Sequence, residues 1–208
     1  MLKAVYKALA ITASAALLAG NAYGSTMKVK EPAIAATTCA ACHGATGISL
    51  SPTFPDLAAQ GAPYLVKQIN DFRSHARADA MAKSIMWGMA ATIPANQIPQ
   101  IAAYYASQKP APGAGENAQL VAAGRKLYLG GDATDQLPAC AACHGPTGLG
   151  LPPLFPRLAG QHMAYLTAQL AAFQSGQRAN DPLAIMRTVA SKLTPAQMNA
   201  VAAYLRTL

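Results

Sequence analysis

Two stretches of the chain show a mostly apolar face with helical spacing. Residues three or four positions apart lie on the same side of an α-helix. The two sets are Tyr64, Leu65, Gln68, Ile69 and Phe72, and Tyr165, Leu166, Gln169, Leu170 and Phe173. No stretch shows the strict alternation of apolar and polar residues that is typical of strands. The pattern therefore predicts an all-α protein.

Capping signals predict further helices. Thr194 is an N-cap before the first-turn proline of a helix that runs to about residue 207. A matched helix begins at Pro94 and runs to about residue 108. In the second half of the chain, residues 116–129 form a leading helix, whereas the corresponding segment before Cys39 is shorter.

The repeated faces belong to a tandem duplication. Phe54-Pro55-x-Leu57-Ala58-x-Gln60 matches Phe155-Pro156-x-Leu158-Ala159-x-Gln161 at an offset of 101, and Ala102-Ala103-Tyr104 matches Ala202-Ala203-Tyr204 at an offset of 100. A shift of one residue within the repeat explains the difference. Residues 109–115 are rich in proline and glycine, which break regular structure. We expect one domain over 25–108 and another over 116–208, joined by an extended linker over 109–115.

Residues 1–24 are typical of a secretory signal peptide. Lys3 and Lys7 supply the positive charge, an apolar run extends from Leu9 to Ala19, and residues 22–24 form a small-x-small cleavage site. The apolar run is shorter than the ~20 residues of a spanning helix, which favours cleavage over a retained membrane anchor. We therefore expect a soluble protein outside the cytoplasm, in the periplasm.

All four cysteines lie in two copies of one motif, Cys39-Ala40-Ala41-Cys42-His43-Gly44 and Cys140-Ala141-Ala142-Cys143-His144-Gly145. Covalent haem attachment requires two thiols three positions apart and a histidine directly after the second. The thiols add across the two vinyl groups of one haem, and the imidazole ligates the iron. The two copies predict two covalently attached haem c groups.

Three other uses of paired cysteines explain the chain less well. A redox dithiol does not need the histidine and would follow a strand in a βαβ unit. One zinc site that pooled both pairs would leave the duplication unexplained. Two disulfides across so short a loop would restrict the unfolded chain very little. A haem would also supply the apolar centre that a domain of about 85 residues with few charged groups lacks.

In the second half, Met186 is the expected second axial ligand. It follows a loop far enough from His144 for the chain to pass around the haem. Met163 and Met198 lie in predicted helices, where core packing is the expected role. A thioether opposite an imidazole favours Fe(II) and raises the reduction potential, which suits an electron carrier.

In the first half, the register favours Met86. It lies seven residues before the apolar residue that precedes the terminal helix, as Met186 does in the other half. Met81 and Met89 remain alternatives, because the one-residue shift falls nearby. Two histidines have no counterpart in the other half and are expected at the surface or at helix ends: His75 and His162. His75 is a further, less favoured alternative for the second axial ligand of the first half.

Two pairs of matched residues are candidates to support the haem groups. Pro55 and Pro156 each lie twelve residues after a motif histidine, where a backbone carbonyl can accept the imidazole Nδ1–H. A plain turn proline is the alternative. Arg77 and Arg178 match each other and are expected either to pair with haem propionates or to lie in solvent.

The charge gives little support to nucleic-acid binding. The formal net charge is +8, of which Lys3 and Lys7 in the predicted leader contribute two. The four propionates of two haem groups would offset about four more positive charges. The small remaining excess could still steer docking to an acidic protein partner.

The two C-x-x-C-H-G halves, each followed by F-P-x-L-A-x-Q, a Y-L-x-x-Q helix, a late methionine and a terminal A-A-Y helix, resemble the dihaem cytochrome c4 family. The resemblance covers essentially the whole mature chain. It implies two class I cytochrome c domains related by pseudo-twofold symmetry, His/Met ligation at both irons, and periplasmic electron transfer with loose attachment to the inner membrane. The implied partners are a quinol-oxidising complex and a terminal oxidase. The implied site residues are Cys39, Cys42, His43, Met86, Cys140, Cys143, His144 and Met186.

The expected function is therefore outer-sphere electron transfer rather than catalysis, because two filled axial positions leave no place for a substrate. A dihaem enzyme that oxidises thiosulfate or reduces peroxide is the alternative, and it would need an open or exchangeable iron site. A cytochrome subunit of a separate dehydrogenase would share every motif described above, so the sequence does not distinguish it from a free carrier.

Overall fold

The structure is a computed structural model that describes residues 29–208. The predicted signal peptide, residues 1–24, lies outside the described residues. Over 29–208 the regular structure is helical, and β-pairing is limited to two isolated bridges, Asp132 with Leu137 and Leu151 with Phe155. The prediction of an all-α protein is confirmed.

The first domain is built from short helices, two of which continue a wider π-type turn. They are α1 (Ala40–His43) after the π-type turn Ala35–Cys39, α2 (Ala62–Arg73), α3 (Trp87–Ala91) after the π-type turn Ala82–Met86, and α4 (Ile98–Ala106) after the 3-10 turn Ala95–Gln97. The α-helical part of the terminal helix thus begins later than predicted from Pro94, because the residues after this proline first form the tighter 3-10 turn.

The second domain repeats this order and adds the leading helix predicted from the sequence. Its helices are α5 (Ala118–Gly130), α6 (Ala141–His144), α7 (Met163–Gln174), α8 (Ile185–Ala190) after the 3-10 turn Pro182–Ala184, and α9 (Pro195–Arg206). Asn117 caps α5 by accepting a hydrogen bond from the Leu120 N–H. Thr194 and Gln197 form a reciprocal capping box at the start of α9.

The terminal helix is the centre of the core in each domain. In α9, Met198 and Val201 are buried against Leu166 of α7 and Tyr128 of α5. In α4, Ile98, Ile101 and Tyr105 pack against Leu65 of α2 in the same way. The burial of Met198 agrees with the packing role expected for it.

Residues of the linker are docked on the second domain. The segment 107–117 contains neither helix nor strand, and Ala111 in it is buried. The Ala114 N–H donates to the Arg206 carbonyl at the end of α9. No helix within residues 29–208 is both long enough and apolar enough to cross a membrane.

Helices α5 and α9 approach so closely that one position admits only glycine. A Cβ atom at Gly124 would lie 1.9 Å from the Ala200 carbonyl oxygen. We expect Gly124→Ala to destabilise the second domain by about 1–3 kcal/mol, because the two backbones would have to separate. Denaturant unfolding of the haem-loaded protein, followed by far-ultraviolet circular dichroism, measures the change.

Gly130→Ala is the matched control for this prediction. Gly130 is the last residue of the same helix, and a Cβ atom there would meet no atom of the described part of the chain within 4 Å. We expect this variant to be neutral or more stable by up to about 1 kcal/mol, since alanine restricts the unfolded chain. Equal effects of the two substitutions would contradict the close packing of α5 on α9.

Candidate functional site

Both cysteine motifs lie on one-turn helices that end at glycine. Gly44 follows α1 with φ 76°, and Gly145 follows α6 with φ 77°. This left-handed conformation is the one that favours glycine, so the residue after each motif histidine ends the helix. The four cysteines are free and half-buried, and all four line one cavity. Burial raises the pKa of the Cys39 thiol, and it raises the pKa of the Cys140 thiol to about 11.

The two motif histidines are buried and held in matched orientations. His43 Nδ1 lies 2.8 Å from the Pro55 carbonyl oxygen, and His144 Nδ1 lies 3.0 Å from that of Pro156. A carbonyl only accepts, so each Nδ1 donates and the other ring nitrogen is free to ligate a metal. Burial lowers the pKa of both imidazoles, which favours the neutral, ligating form. The predicted role of the two prolines is confirmed.

A single cavity of about 390 Å³ connects the two motifs. Its walls are mostly apolar and repeat between the domains, with Leu57, Leu65, Ile69, Phe72 and Ile93 matching Leu158, Leu166, Leu170, Phe173 and Leu193. Phe54 and Phe155 stand edge-on to the rings of His43 and His144. Apolar walls, paired thiols and an oriented imidazole together fit a covalently attached porphyrin in each half.

In the second domain, the cavity distinguishes between the methionine candidates. Met186 lines it, whereas Met163 and Met198 belong to the packed core behind it. In the first domain, Met81, Met86 and Met89 all line the cavity. The structure therefore narrows the choice in one domain and leaves three candidates in the other.

The register of the first domain changes within the π-type turn Ala82–Met86. Asp79 and Asn180 match at an offset of 101, whereas the buried residues Ala90 and Ala190 match at an offset of 100. A π-type turn accommodates one extra residue in a helix, so this turn absorbs the shift. From its last residue, Met86, the two domains are again in register.

Arg77 and Arg178 form a buried network across the domain interface, so neither lies in solvent. Arg77 donates to Gln68 of its own domain at 2.9 Å and to Gln169 of the other at 2.8 Å. Arg178 donates to Gln169 at 2.7 Å and to Gln68 at 3.1 Å. Each guanidinium also bonds a tyrosine hydroxyl of the other domain: Tyr165 for Arg77 and Tyr64 for Arg178. Pairing of the arginines with haem propionates stays a prediction.

The two unmatched histidines have different surroundings. His162 lies at the helix end expected, but it is half-buried between the domains, with Nε2 3.1 Å from the Ser49 carbonyl oxygen and 3.4 Å from Asp56 Oδ1. The expectation of a surface or helix-end position is therefore met by the helix end, although the other domain partly covers the start of α7. His75 is exposed and stacks on Trp87. It does not line the cavity, so nothing in the described residues supports it as a ligand.

Sequence reasoning placed Gln60 and Gln161 in the repeat without assigning a role to them. Each side chain forms two hydrogen bonds with the backbone of one residue in the other domain. Gln60 holds Arg157 in this way, and Gln161 holds Asp56. The repetition of the glutamine was the only signal available, since a contact across the interface leaves no local pattern.

Comparison with known proteins decides the family. The family model described as Cytochrome c matches the chain twice, over residues 32–109 and 121–208. The chain is 42% identical over 180 residues to cytochrome c4 from Azotobacter vinelandii, and the match covers 83% of this chain and 85% of that protein. This chain belongs to the cytochrome c4 family. The family predicted from the repeated motifs is confirmed.

A solved structure and a second relative extend the comparison. Cytochrome c4 from Acidithiobacillus ferrooxidans has 38% sequence identity and a TM-score of 0.76, over 82% of this chain and 98% of that one. A protein named thiosulfate dehydrogenase electron acceptor, from Thiomonas intermedia, is 40% identical over 173 residues, which cover 82% of this chain and 78% of that protein. As a member of the cytochrome c4 family, this chain is a dihaem electron-transfer cytochrome with two covalently attached haem c groups.

Removal of one cysteine pair should remove one haem and leave the other. In protein exported with the haem-attachment machinery, the double variant Cys140→Ala, Cys143→Ala is expected to contain half the covalent haem of the wild type, because thioether bonds need the thiols. The matched variant Cys39→Ala, Cys42→Ala should give the same ratio. Intact-protein mass and the haem-to-protein ratio measure it, and an unchanged haem content in either variant would contradict the assignment.

Proposed function

We propose that this chain is a periplasmic electron carrier in which each iron has a histidine and a methionine as axial ligands. The pairs are His43 with Met86 in the first domain and His144 with Met186 in the second. One observation carries the proposal. Each half lines the shared cavity with a buried histidine, whose Nδ1–H is taken by a proline carbonyl, and with a methionine at the same register.

Bound at these sites, each haem supplies a one-electron Fe(III)/Fe(II) couple. The residues of the chain hold and tune this couple. The cysteines anchor the porphyrin, the proline carbonyls orient the imidazoles, and the apolar walls exclude water. A thioether ligand favours Fe(II), and burial in an apolar cavity disfavours the extra positive charge of Fe(III), so both act to raise the potential.

A carrier is favoured over an enzyme because a methionine is available in both halves. With both axial positions filled, neither iron has a place for substrate. The relative named thiosulfate dehydrogenase electron acceptor supports a second candidate, in which this chain receives electrons from a separate dehydrogenase. The partners proposed for a free carrier are a quinol-oxidising complex as donor and a terminal oxidase as acceptor. We also propose that such a carrier is loosely attached to the inner membrane.

The organisation proposed for the exported protein follows from the repeat. Residues 1–24 are removed on export, domains over 25–108 and 116–208 each hold one haem, and residues 109–115 connect them. The docking of Ala111 and Ala114 on the second domain supports a connection that is held against the protein rather than free in solution.

Near-infrared magnetic circular dichroism of the oxidised protein tests the ligands. We expect two low-spin His/Met haem groups in the wild type. Met186→Leu should remove this signature from one haem and lower its potential, because leucine cannot ligate iron. Met163→Leu, in the core behind the cavity, is the control and should keep both signatures.

The same measurement resolves the three candidates of the first domain. We expect Met86→Leu to remove the His/Met signature of the first-domain haem. Met81→Leu and Met89→Leu should preserve it. The register restored after the π-type turn is the reason for this order. A wild type with a high-spin haem, or loss of the signature in Met81→Leu or Met89→Leu instead, would contradict the ligand set.

Reduction assays separate the carrier from an enzyme. With thiosulfate as the only reductant and no other protein present, we expect no catalytic turnover of thiosulfate, because neither iron has an open position at which the anion could bind and be oxidised. Rapid reduction on addition of a thiosulfate dehydrogenase would identify the acceptor role, and reduction by a quinol-oxidising complex would identify the respiratory role. Catalytic turnover of thiosulfate by the protein alone would contradict the carrier.

A further inference from the structure

The carbonyl that holds each motif histidine belongs to a peptide group that is bonded at both ends. In the first domain, the Pro55 carbonyl accepts the His43 Nδ1–H at 2.8 Å. The N–H of the same peptide group belongs to Asp56, and it donates to Gln161 Oε1 of the second domain at 2.9 Å. A continuous chain of hydrogen bonds therefore runs from the histidine of one domain to a glutamine of the other.

The second domain repeats the arrangement in the opposite direction. The Pro156 carbonyl accepts the His144 Nδ1–H at 3.0 Å, and the Arg157 N–H of that peptide donates to Gln60 Oε1 at 2.9 Å. Asp56 and Arg157 differ in charge, yet the same backbone atoms are used at both. The chain of bonds thus depends on the backbone and the glutamines rather than on the side chains of these two residues.

Each glutamine is fixed by further bonds, so its orientation is determined. Gln161 Nε2 donates to the Asp56 carbonyl at 2.9 Å, and Gln60 Nε2 donates to the Arg157 carbonyl at 3.0 Å. Backbone N–H groups require the oxygen of each amide to face them, and carbonyls require the nitrogen. Both glutamines are 7% exposed, so bulk water has little access to replace the amide.

A peptide group that donates through its N–H becomes a better acceptor at its carbonyl, because hydrogen bonds in a chain polarise one another. A better acceptor draws the Nδ1 proton away from the imidazole. The ring then becomes a more basic ligand, which stabilises Fe(III) relative to Fe(II). The glutamine of one domain can in this way act on the iron ligand of the other.

We propose that Gln161 tunes the histidine ligand of the first domain and Gln60 that of the second, so that each haem potential depends on a residue of the opposite domain. Both are positioning residues that act through the proline peptide. The proposal rests on the histidine ligation given under the proposed function. It also implies that the potentials of the two haem groups depend on how the domains are docked.

The test uses haem-loaded, full-length protein with ¹⁵N-labelled histidine, in the reduced diamagnetic state. In Gln161→Leu, the Nδ1–H resonance of His43 should move upfield, as a weaker hydrogen bond requires, while that of His144 stays in place. Gln60→Leu should move the His144 resonance and leave that of His43. Each resonance is assigned with the single-haem cysteine variants described above.

Redox titration of each haem is the second readout. At a fixed ambient potential, the ratio of oxidised to reduced first-domain haem should fall in Gln161→Leu, because the less basic histidine stabilises Fe(III) less. The expected change is about two- to five-fold, since cooperative strengthening amounts to a fraction of the free energy of one buried hydrogen bond. Gln60→Leu should have this effect on the second-domain haem. A purely structural role of the glutamines would not give a response confined to the opposite domain.

Two further variants serve as controls. Among residues 29–208, Gln174 bonds only backbone carbonyls of its own domain, those of Ala190 and Leu193, so Gln174→Leu should shift neither histidine resonance. Gln161→Glu places a carboxylate, a stronger acceptor than an amide, at the Asp56 N–H, so the His43 resonance should move downfield while that of His144 stays in place. This variant also tests the proposal if the leucine variant fails to fold.

The outcomes are distinguishable. A shift confined to the opposite histidine, with a change in that haem's potential, supports the proposal. A shift in the histidine of the same domain, equal shifts in both, or no shift in folded Gln161→Leu or Gln60→Leu would overturn it. If the wild-type resonances lack the ring-current position of an imidazole bound to haem iron, the ligation under the proposed function is wrong, which is a separate result.

Discussion

A buried imidazole that is to bind metal through one nitrogen must give its other N–H to an acceptor, and the loops after the two cysteine motifs are built around this requirement. Pro55 and Pro156 present the acceptor carbonyls. The chain just beyond each proline is held by a glycine carbonyl: Gly47 accepts from two successive N–H groups, at 2.7 and 3.0 Å, and Gly148 does the same at the same distances. A Cβ atom at Gly47 would lie within 2.8 Å of the Ala58 nitrogen, so the close approach requires glycine. The position of each motif histidine therefore depends on a loop whose geometry is repeated in both halves.

The duplication gives more than two copies of one site, because the polar residues of the repeat bond across the interface. A buried polar group is costly unless its hydrogen bonds are satisfied. Here each domain supplies hydrogen-bond partners to the other: the arginines bond the opposite glutamines and tyrosines, and the repeated position of Gln60 and Gln161 brings each to the opposite proline loop. The two haem sites are consequently parts of one structure. Their environments are nonetheless unequal, since Asp79 beside Arg77 is replaced by Asn180 beside Arg178, and Asp56 by Arg157.

Much of the fold could be predicted because it depends on local geometry. The helical faces around Leu65 and Leu166, the cap at Thr194 and the twelve-residue spacing from histidine to proline all follow from the conformation of short segments. The prediction of where the first terminal helix starts was less accurate, because a proline allows either a 3-10 or an α-helical first turn. The methionine of the second domain was separable from its neighbours by helix position. Its counterpart in the first domain lies close to the single extra residue that changes the register. Comparison of the two halves along the sequence does not show in which turn that extra residue is accommodated.

The helical class, the two halves and the covalent chemistry of the cysteine pairs could be read from the sequence alone, whereas the role of Pro55 and Pro156 was one of two alternatives until the structure showed their bonds to the histidines. The first three features depend on neighbouring residues and on side-chain reactivity, which are the same wherever the segment is placed. The contacts with the other domain became visible in the folded structure alone, and they involve Arg77, Arg178, Gln60, Gln161 and His162. An identical repeat could have formed these bonds within each half, and the choice between the two arrangements depends on how two complete surfaces dock, which no short stretch of sequence records.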